Sequence, residues 1–158
     1  QSLNKIKNEE KKNIPILLKI SPDISDNHIS EIVTIAIENS ISALILTNTT
    51  NVNRDNLTSD SKNEEGGLSG EPLQELSTQM IKKFYKKLNG KALIIGVGGV
   101  DSGQTAFDKI TAGANVVQLY TGMIYKGPGI VRDIKKELIN ILKKEKINTI
   151  NEAIGINS

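Results

Sequence analysis

The chain has 158 residues and a nearly balanced charge, with 20 Lys and Arg against 18 Asp and Glu. It contains no Cys and one His, His28, which excludes disulfides, Cys-ligated zinc, thiol nucleophiles and clusters of histidine ligands. We therefore expect no metal site. Aromatic residues make up 3% of the chain and Trp is absent, which argues against a base-stacking platform for nucleic acid. No apolar run approaches the roughly 18 residues of a membrane-spanning helix, and the first residues show no signal-peptide pattern.

The polar first twelve residues predict a surface helix or connector, and four short apolar runs beyond them predict β-strands. Runs of this kind are typical of strands that a parallel α/β sheet buries on both faces. The predicted strands are Ile14–Ile20, Ala43–Thr47, Ala92–Val97 and Asn115–Tyr120.

A helical period of about 3.6 residues follows each predicted strand. The predicted helices are Ile29–Asn39, Pro72–Leu88, Ser102–Thr111 and Ile130–Lys144, with a short final helix over Asn148–Ile154. Ser25 or Asp26 suits the start of the first helix, and Gly90 suits the end of the second.

The resulting order, β-α-β-α-β-α-β-α, predicts an α/β fold with a parallel sheet and right-handed crossovers. The pattern leaves two closures open, a doubly wound sheet or part of a (β/α)₈ barrel. The 158 residues fall well short of the roughly 250 of a complete barrel.

One connection, Asn48–Gly70, is long, aperiodic and rich in Asn, Asp, Ser and Gly. Long irregular loops in compact domains are usually functional, and in a barrel this one would lie on the active-site face.

Polar residues stand at the ends of two predicted strands. Lys19 lies in the otherwise apolar run ILLKIS, where a buried ammonium needs either a neighbouring carboxylate or an anionic ligand. Thr47, Asn48, Thr49 and Thr50 follow the next strand directly and can both donate and accept hydrogen bonds. They suit a ligand with alternating carbonyl and N–H groups, although an ordinary polar turn would read the same way.

Glycine clusters end three of the strand-to-helix connections: Gly66-Gly67 with Gly70, Gly98-Gly99, and Gly122 after Tyr120-Thr121. Gly98-Gly99 precedes a helix that Asp101 or Ser102 could cap, and backbone N–H groups at such a turn can hold a phosphate. Neither a dinucleotide fingerprint nor a Walker loop is present.

Taken together, these motifs resemble the class 2, quinone-dependent dihydroorotate dehydrogenases. The matching stretches, in the family's order, are LLKISPD, LTNTT, GGLSGEPLQELST, LIIGVGGVDSG, AGANVVQLYTGMIYKGPG and NEAIG. The resemblance implies that the chain supplies the last four βα units of an FMN-binding TIM barrel, as a single partial domain over residues 1–158.

The resemblance also implies residue roles. Lys19 would face the N1/O2 edge of FMN and stabilise the negative charge that hydride transfer brings to the flavin. Thr47 would contact the isoalloxazine, and Asn48 and Thr49 would bind dihydroorotate or orotate. The ribityl and phosphate groups would be held by a further set, largely through backbone atoms: Gly70, Gly99, Tyr120 and Thr121. A quinone would reoxidise the flavin.

Other parts of such an enzyme are expected upstream of this segment: the catalytic base serine, the first half of the barrel and the membrane-binding helices. We therefore expect the isolated segment to be inactive, because a half barrel leaves open sheet edges and an unfilled interior. The complete protein is expected at a bacterial inner membrane, on its cytoplasmic side, or at a mitochondrial inner membrane.

Two alternatives stay open at this point. One is another FMN- or phosphate-binding barrel, such as a class 1 dihydroorotate dehydrogenase or a relative of inosine monophosphate dehydrogenase. The other is a non-catalytic half-barrel assembly module that dimerises and holds a phosphate ligand.

Overall fold

A computed structural model describes residues 2–10, 14–52, 54–55 and 57–158, without the side chains of Asn4 and Asn8. Its centre is a four-stranded parallel sheet in the order β1-β2-β3-β4. The strands are β1 (Leu17–Ile20), β2 (Ala43–Leu46), β3 (Leu93–Val97) and β4 (Val116–Gln118). Consecutive strands are therefore neighbours in space, as in a barrel.

Helices precede, connect and follow the strands. They are α1 (Ser2–Glu9), α2 (Asp26–Glu38), α3 (Gln74–Leu88), α4 (Gly103–Thr111), α5 (Thr121–Lys126), α6 (Ile130–Lys144) and α7 (Ile150–Ala153). Short 3₁₀ turns cover Asp60–Asn63 and Glu71–Leu73. In the described ranges no helix is both long and apolar enough to span a membrane.

All the connecting helices pack on the same face of the sheet. Leu44, Leu46 and Ile94 form the sheet side of the main core, and the apolar faces of α2 and α3 cover them. Gly96 lets α3 and α4 pack closely on this face, because a Cβ added there would lie 2.9 Å from Ile81 Cδ1 and 3.3 Å from Lys109 Cβ. A doubly wound sheet carries helices on both faces, so this arrangement favours the barrel.

The opposite face of the sheet is concave and is not covered by any described residue. Three of its large side chains are half exposed, Leu17 at 43%, Leu93 at 53% and Val116 at 52%, and only the small Ala43 between Leu17 and Leu93 is buried. The expectation that both strand faces are buried is therefore wrong for this segment. The apolar runs read as fully buried because their residues are apolar on both faces, but only the helix side is packed here.

The predicted order of elements is confirmed, and the differences lie at their ends. Strand β1 begins at Leu17, so Ile14 lies outside it, and β4 is shorter at both ends than the predicted strand Asn115–Tyr120. Helix α5 was not predicted, because its six residues are too few to show a period.

Helix termini follow the predicted capping chemistry. The Ser25 side chain caps α2, which therefore begins at Asp26 and not at Ile29. Asn89, in the left-handed region at φ 45°, caps the end of α3, and Gly90 follows it at φ 77°. The final helix is shorter than predicted, covering Ile150–Ala153 after a Thr149 cap.

Candidate functional site

The carboxyl ends of the four strands surround one cleft of about 710 Å³. Parallel strands present their carboxyl ends at the same rim, so loops that are far apart in sequence meet there. All the residues with a predicted site role line this cleft: Lys19, Thr47, Asn48, Thr49, Gly70, Gly99, Tyr120 and Thr121.

Lys19 projects from β1 on the concave face of the sheet, in register with Ile45 of β2. It is exposed, so the expectation of a buried ammonium is wrong here. Its ammonium group makes no ion pair or hydrogen bond with any residue that the structure describes. A positive charge that lines a cleft without a protein counter-ion is free to pair with an anionic ligand.

Thr47 and Asn48 continue the strand ladder beyond the end of β2. The Thr47 N–H donates to Val97 O at 3.0 Å, and the Asn48 N–H donates to Ile20 O at 2.8 Å. Thr47 is 2% exposed, yet its hydroxyl has no hydrogen-bond partner among the described residues. A buried hydroxyl without a hydrogen-bond partner costs free energy, and a ligand bound in the cleft could supply that partner.

The segment from Thr47 to Thr50 is closely packed against the glycine-rich end of the long loop. Thr50 and Leu68 exchange two backbone hydrogen bonds, of 3.1 and 2.7 Å, as an isolated antiparallel bridge. A Cβ added at Gly67 would lie 2.0 Å from Thr49 Oγ1. Glycine at position 67 is therefore what allows the two walls of the cleft to approach this closely.

Positive backbone φ angles shape the floor of the cleft, with Gly70 at 82°, Gly98 at 115° and Gly99 at 70°. A Cβ at Gly99 would lie 2.6 Å from Gln74 Cβ, where backbone atoms of Gln74 also crowd it. Beside Gly70, the Thr121 hydroxyl donates to Ser69 Oγ at 3.0 Å. These turns expose backbone on the floor, which suits a phosphate-bearing ligand.

Ser102, and not Asp101, caps α4, with a reciprocal bond from Thr105. The Gly103 N–H at the start of this helix donates to Glu137 Oε2 at 2.5 Å. The first turn of α4 is therefore already occupied by protein acceptors. The predicted contribution of this helix terminus to phosphate binding is therefore not supported, whereas Gly98 and Gly99 both line the cleft.

Asp101 pairs instead with Lys126 at the mouth of the cleft, with Nζ 2.8 Å from Oδ2. Lys126 also donates to the Asp101 carbonyl at 3.0 Å. Its hydrogen bond lowers the pKa of the Asp101 carboxyl below the usual value, against the opposing effect of burial. This contact ties α5 to the end of β3.

Two residues with a clear structural role received no role from the sequence. Asp23 bonds to the segment after β2, and Lys109 is fully buried between α3 and α4. Lys109 Nζ donates to Gln74 O at 2.8 Å and to Thr78 Oγ1 at 2.7 Å. The only sequence signal for Lys109 was its position one helical turn after the inward residue Ala106.

The donors and acceptors around the cleft fit a planar, polar, phosphate-bearing cofactor. Among the described residues, the buried Thr47 hydroxyl has no hydrogen-bond partner and the Lys19 ammonium has no counter-ion, and a ligand in the cleft could supply both. Glycine at positions 67, 70 and 99 lets the chain pack closely beside the cleft, because an added Cβ would meet Thr49, Thr121 or Gln74.

Comparison with known proteins gives a consistent result. The family model for dihydroorotate dehydrogenase matches residues 1–142. A dihydroorotate dehydrogenase (quinone) of Trichodesmium erythraeum is 44% identical over 157 residues, which is 94% of this chain and 41% of that protein. The mitochondrial dihydroorotate dehydrogenase (quinone) of Mus musculus is 46% identical over 141 residues, covering 89% of this chain and 36% of the mouse protein.

Solved structures agree with the sequence matches. DHODH from Eimeria tenella, in complex with ferulenol, superposes with a TM-score of 0.89 at 42% identity, over 92% of this chain and 39% of that one. This chain thus spans about two-fifths of the length of the curated relatives it matches. Its four βα units form a half barrel of the kind found in these enzymes. The chain belongs to the dihydroorotate dehydrogenase family.

Proposed function

We propose that the complete protein oxidises dihydroorotate to orotate with FMN as its cofactor, reoxidised by a quinone, in de novo pyrimidine biosynthesis. Members of the family use a flavin, and the relatives are named as quinone enzymes. The observation that carries the proposal is the cleft itself. One cleft is lined by a cation and a buried hydroxyl that have no partner among the described residues, and by glycine turns with positive φ.

Lys19 and Thr47 would hold the ring system of the flavin. When bound, FMN would take a hydride from dihydroorotate and later pass the electrons to a quinone. The Lys19 ammonium, which has no counter-ion among the described residues, would offset the negative charge that reaches the ring in that transfer. The Thr47 hydroxyl would gain the partner that it lacks among the described residues.

Asn48 and Thr49 would bind the substrate. Both are exposed to the cleft, and their side chains make no hydrogen bond with any described residue, so donors and acceptors are free. An amide and a hydroxyl together match a ring that carries alternating carbonyl and N–H groups beside a carboxylate. The substrate would lie between these residues and the flavin.

The phosphate and ribityl chain of FMN would lie along Gly70, Gly99, Tyr120 and Thr121. Gly99 has a backbone that a side chain would block, and Thr121 is already fixed by its bond to Ser69. Backbone N–H groups at such turns bind phosphate without any cationic side chain.

The catalytic base would be a serine outside this segment, contributed by the other half of the barrel. The segment by itself is therefore expected not to form orotate. Membrane association, at a bacterial or mitochondrial inner membrane, would also come from other parts of the protein. The name of the mouse relative, which includes the word mitochondrial, supports only the second of these two locations.

The proposal is tested by the choice of electron acceptor. Purified complete protein, supplied with FMN and dihydroorotate, should form orotate with a soluble quinone and far more slowly with fumarate or NAD⁺. Turnover only with fumarate or NAD⁺ would instead assign the protein to the class 1 dihydroorotate dehydrogenases. Absence of orotate with all three acceptors, in protein that retains bound flavin, would contradict the substrate assignment.

A further inference from the structure

A carboxylate outside the cleft fixes the segment that would bind the substrate. Asp23 lies in the β1–α2 loop and does not line the cleft. Its Oδ1 accepts a bond from Thr50 Oγ1 at 2.5 Å, and its Oδ2 accepts one from the Asn51 N–H at 2.8 Å. Both carboxylate oxygens are thus directed at two successive residues that follow Asn48 and Thr49.

Thr50 transmits this contact to both walls of the cleft. It is 3% exposed, and its hydroxyl also accepts a bond from the Val52 N–H at 3.2 Å. Its backbone exchanges two hydrogen bonds with Leu68. The contacts of Asp23, Thr50 and Leu68 therefore connect the β1–α2 loop with two parts of the β2–α3 loop, both of which carry residues of the cleft.

The loop that holds Asp23 is itself well fixed. Pro22 is buried, and the proline ring restricts the backbone directly before Asp23. The Asp23 N–H donates to Ser21 Oγ at 3.2 Å. The carboxylate is therefore presented from a rigid turn that follows the strand of Lys19.

Asn48 and Thr49 have no comparable support of their own. Their side chains make no hydrogen bonds with described residues, and only the Asn48 N–H is bonded, to Ile20 O. Their geometry relative to the cleft depends on what holds the chain on either side of them. Downstream, the chain is held by the Asp23 carboxylate and by the backbone bridge between Thr50 and Leu68.

We infer that Asp23 is a positioning residue, which holds Asn48 and Thr49 in the conformation that binds dihydroorotate and orotate. The inference rests on the proposed function of the cleft. It predicts that loss of the carboxylate weakens substrate binding and leaves the flavin in place, because Asp23 touches neither Lys19 nor the glycine turns of the cleft floor.

The test is an orotate titration of the complete, FMN-loaded protein, followed by the change in the visible spectrum of the flavin. Asp23→Ala should raise the orotate Kd by about ten-fold or more, with FMN content at the wild-type level. Asp23→Asn should recover much of the affinity, because its amide oxygen can still accept from the Asn51 N–H and the Thr50 hydroxyl can accept from its NH₂ group. Recovery of this kind would show that the negative charge itself is not required, and Thr50→Val separates hydrogen bonding from packing.

Asp26→Ala is the matched control. Asp26 is a nearby carboxylate, at the first residue of α2, but it pairs with Lys83 at 2.7 Å on the helix side of the sheet. Its removal should leave the orotate Kd unchanged. Thr50→Val provides an independent variant, because it keeps the side-chain volume and removes the hydroxyl that donates to the Asp23 carboxylate. Like Asp23→Ala, it should raise the orotate Kd.

The two failures can be told apart. If the wild-type protein holds FMN but orotate does not perturb its spectrum, the proposed function of the cleft is wrong. If the wild-type protein binds orotate and the orotate Kd of Asp23→Ala is within about two-fold of the wild-type value, the positioning role is wrong. Loss of FMN from Asp23→Ala, together with an unchanged Kd in Thr50→Val, would also overturn it.

Discussion

Two lysines on opposite faces of the sheet show how this half barrel divides structure from function. Lys109 lies on the helix side, fully buried, with its ammonium bonded to Gln74 O and Thr78 Oγ1. Lys19 lies on the concave side, exposed and without a protein partner in the described part of the chain.

The two lysines differ in whether the surrounding protein supplies acceptors for the ammonium group. The helix side provides acceptors from the protein itself, so Lys109 is a structural contact between α3 and α4. The described residues of the concave side provide none, so Lys19 is available to a ligand. A third lysine, Lys126, is intermediate, because it is paired with Asp101 yet half exposed at the mouth of the cleft.

The largest expected effect comes from removing the unpartnered charge. In the complete protein, Lys19→Ala should slow flavin reduction by dihydroorotate about 10²- to 10³-fold, because a cation that stabilises developing charge is lost. Because the Lys19 ammonium makes no ion pair or hydrogen bond with a described residue, its loss should leave Tm within about 2 °C of the wild-type value. Stopped-flow absorbance and calorimetry measure the two quantities.

Lys135→Ala is the control for Lys19→Ala, since Lys135 is an exposed lysine of α6 that does not line the cleft. It should change neither the rate nor Tm. Equal loss of Tm and of rate in Lys19→Ala would show that Lys19 supports the fold and would remove the contrast with Lys109.

The buried Lys109 should make the free energy of unfolding depend on pH. Burial lowers the pKa of Lys109 from 10.5 to about 8, while the charges of Asp108 and Glu75 act in the opposite direction. Below pH 8 both the folded and the unfolded chain carry the charge, and its burial cost is fully present. Between about 8 and 10.5 the folded chain loses the proton first, so the free energy of unfolding should rise with pH, by up to about 3 kcal/mol.

Lys109→Met isolates this contribution, because other lysines and tyrosines titrate in the same range. The substitution keeps most of the volume, and the Thr78 hydroxyl still donates to Gln74 O at 2.8 Å, so no buried donor is left without a partner. The variant should be at least as stable as wild type at pH 7 and lack the additional rise above pH 8. Identical pH profiles in urea unfolding would contradict the assignment.

The smallest effect is expected at the exposed pair. Lys126→Met should lower the free energy of unfolding by less than about 1 kcal/mol, because solvent screens a half-exposed ion pair. The hydrogen bond from Lys126 lowers the pKa of Asp101, so this contribution is present above pH 3.8 and is lost as the pH falls through the lower, folded value. A difference in unfolding free energy that persisted at pH 2 would contradict the ion-pair account.

Local pattern predicted most of the fold. The period of Pro72–Leu88 located α3 to within its opening 3₁₀ turn, and the capping residue Ser102 began α4. Where pattern was short it failed, as at α5. Burial could not be predicted from apolar content alone, because Leu93 and Ile94 are both apolar but only Ile94 faces the helices.

The site divides in the same way. Residues at the ends of strands, such as Lys19 and Thr47, were predictable because a parallel sheet must bring those ends to one rim. Asp23 and Lys109 were not, because their partners lie 27 and 35 residues away along the chain. Contacts at that separation leave no local periodicity, and only the folded arrangement brings them together.

The central claim is that this cleft places dihydroorotate against a bound flavin. The most direct test is the anaerobic visible spectrum of the complete protein before and after addition of dihydroorotate. The account predicts a bound-flavin spectrum that bleaches with dihydroorotate and recovers on addition of a quinone. A bound flavin that stays oxidised in the presence of dihydroorotate would contradict it.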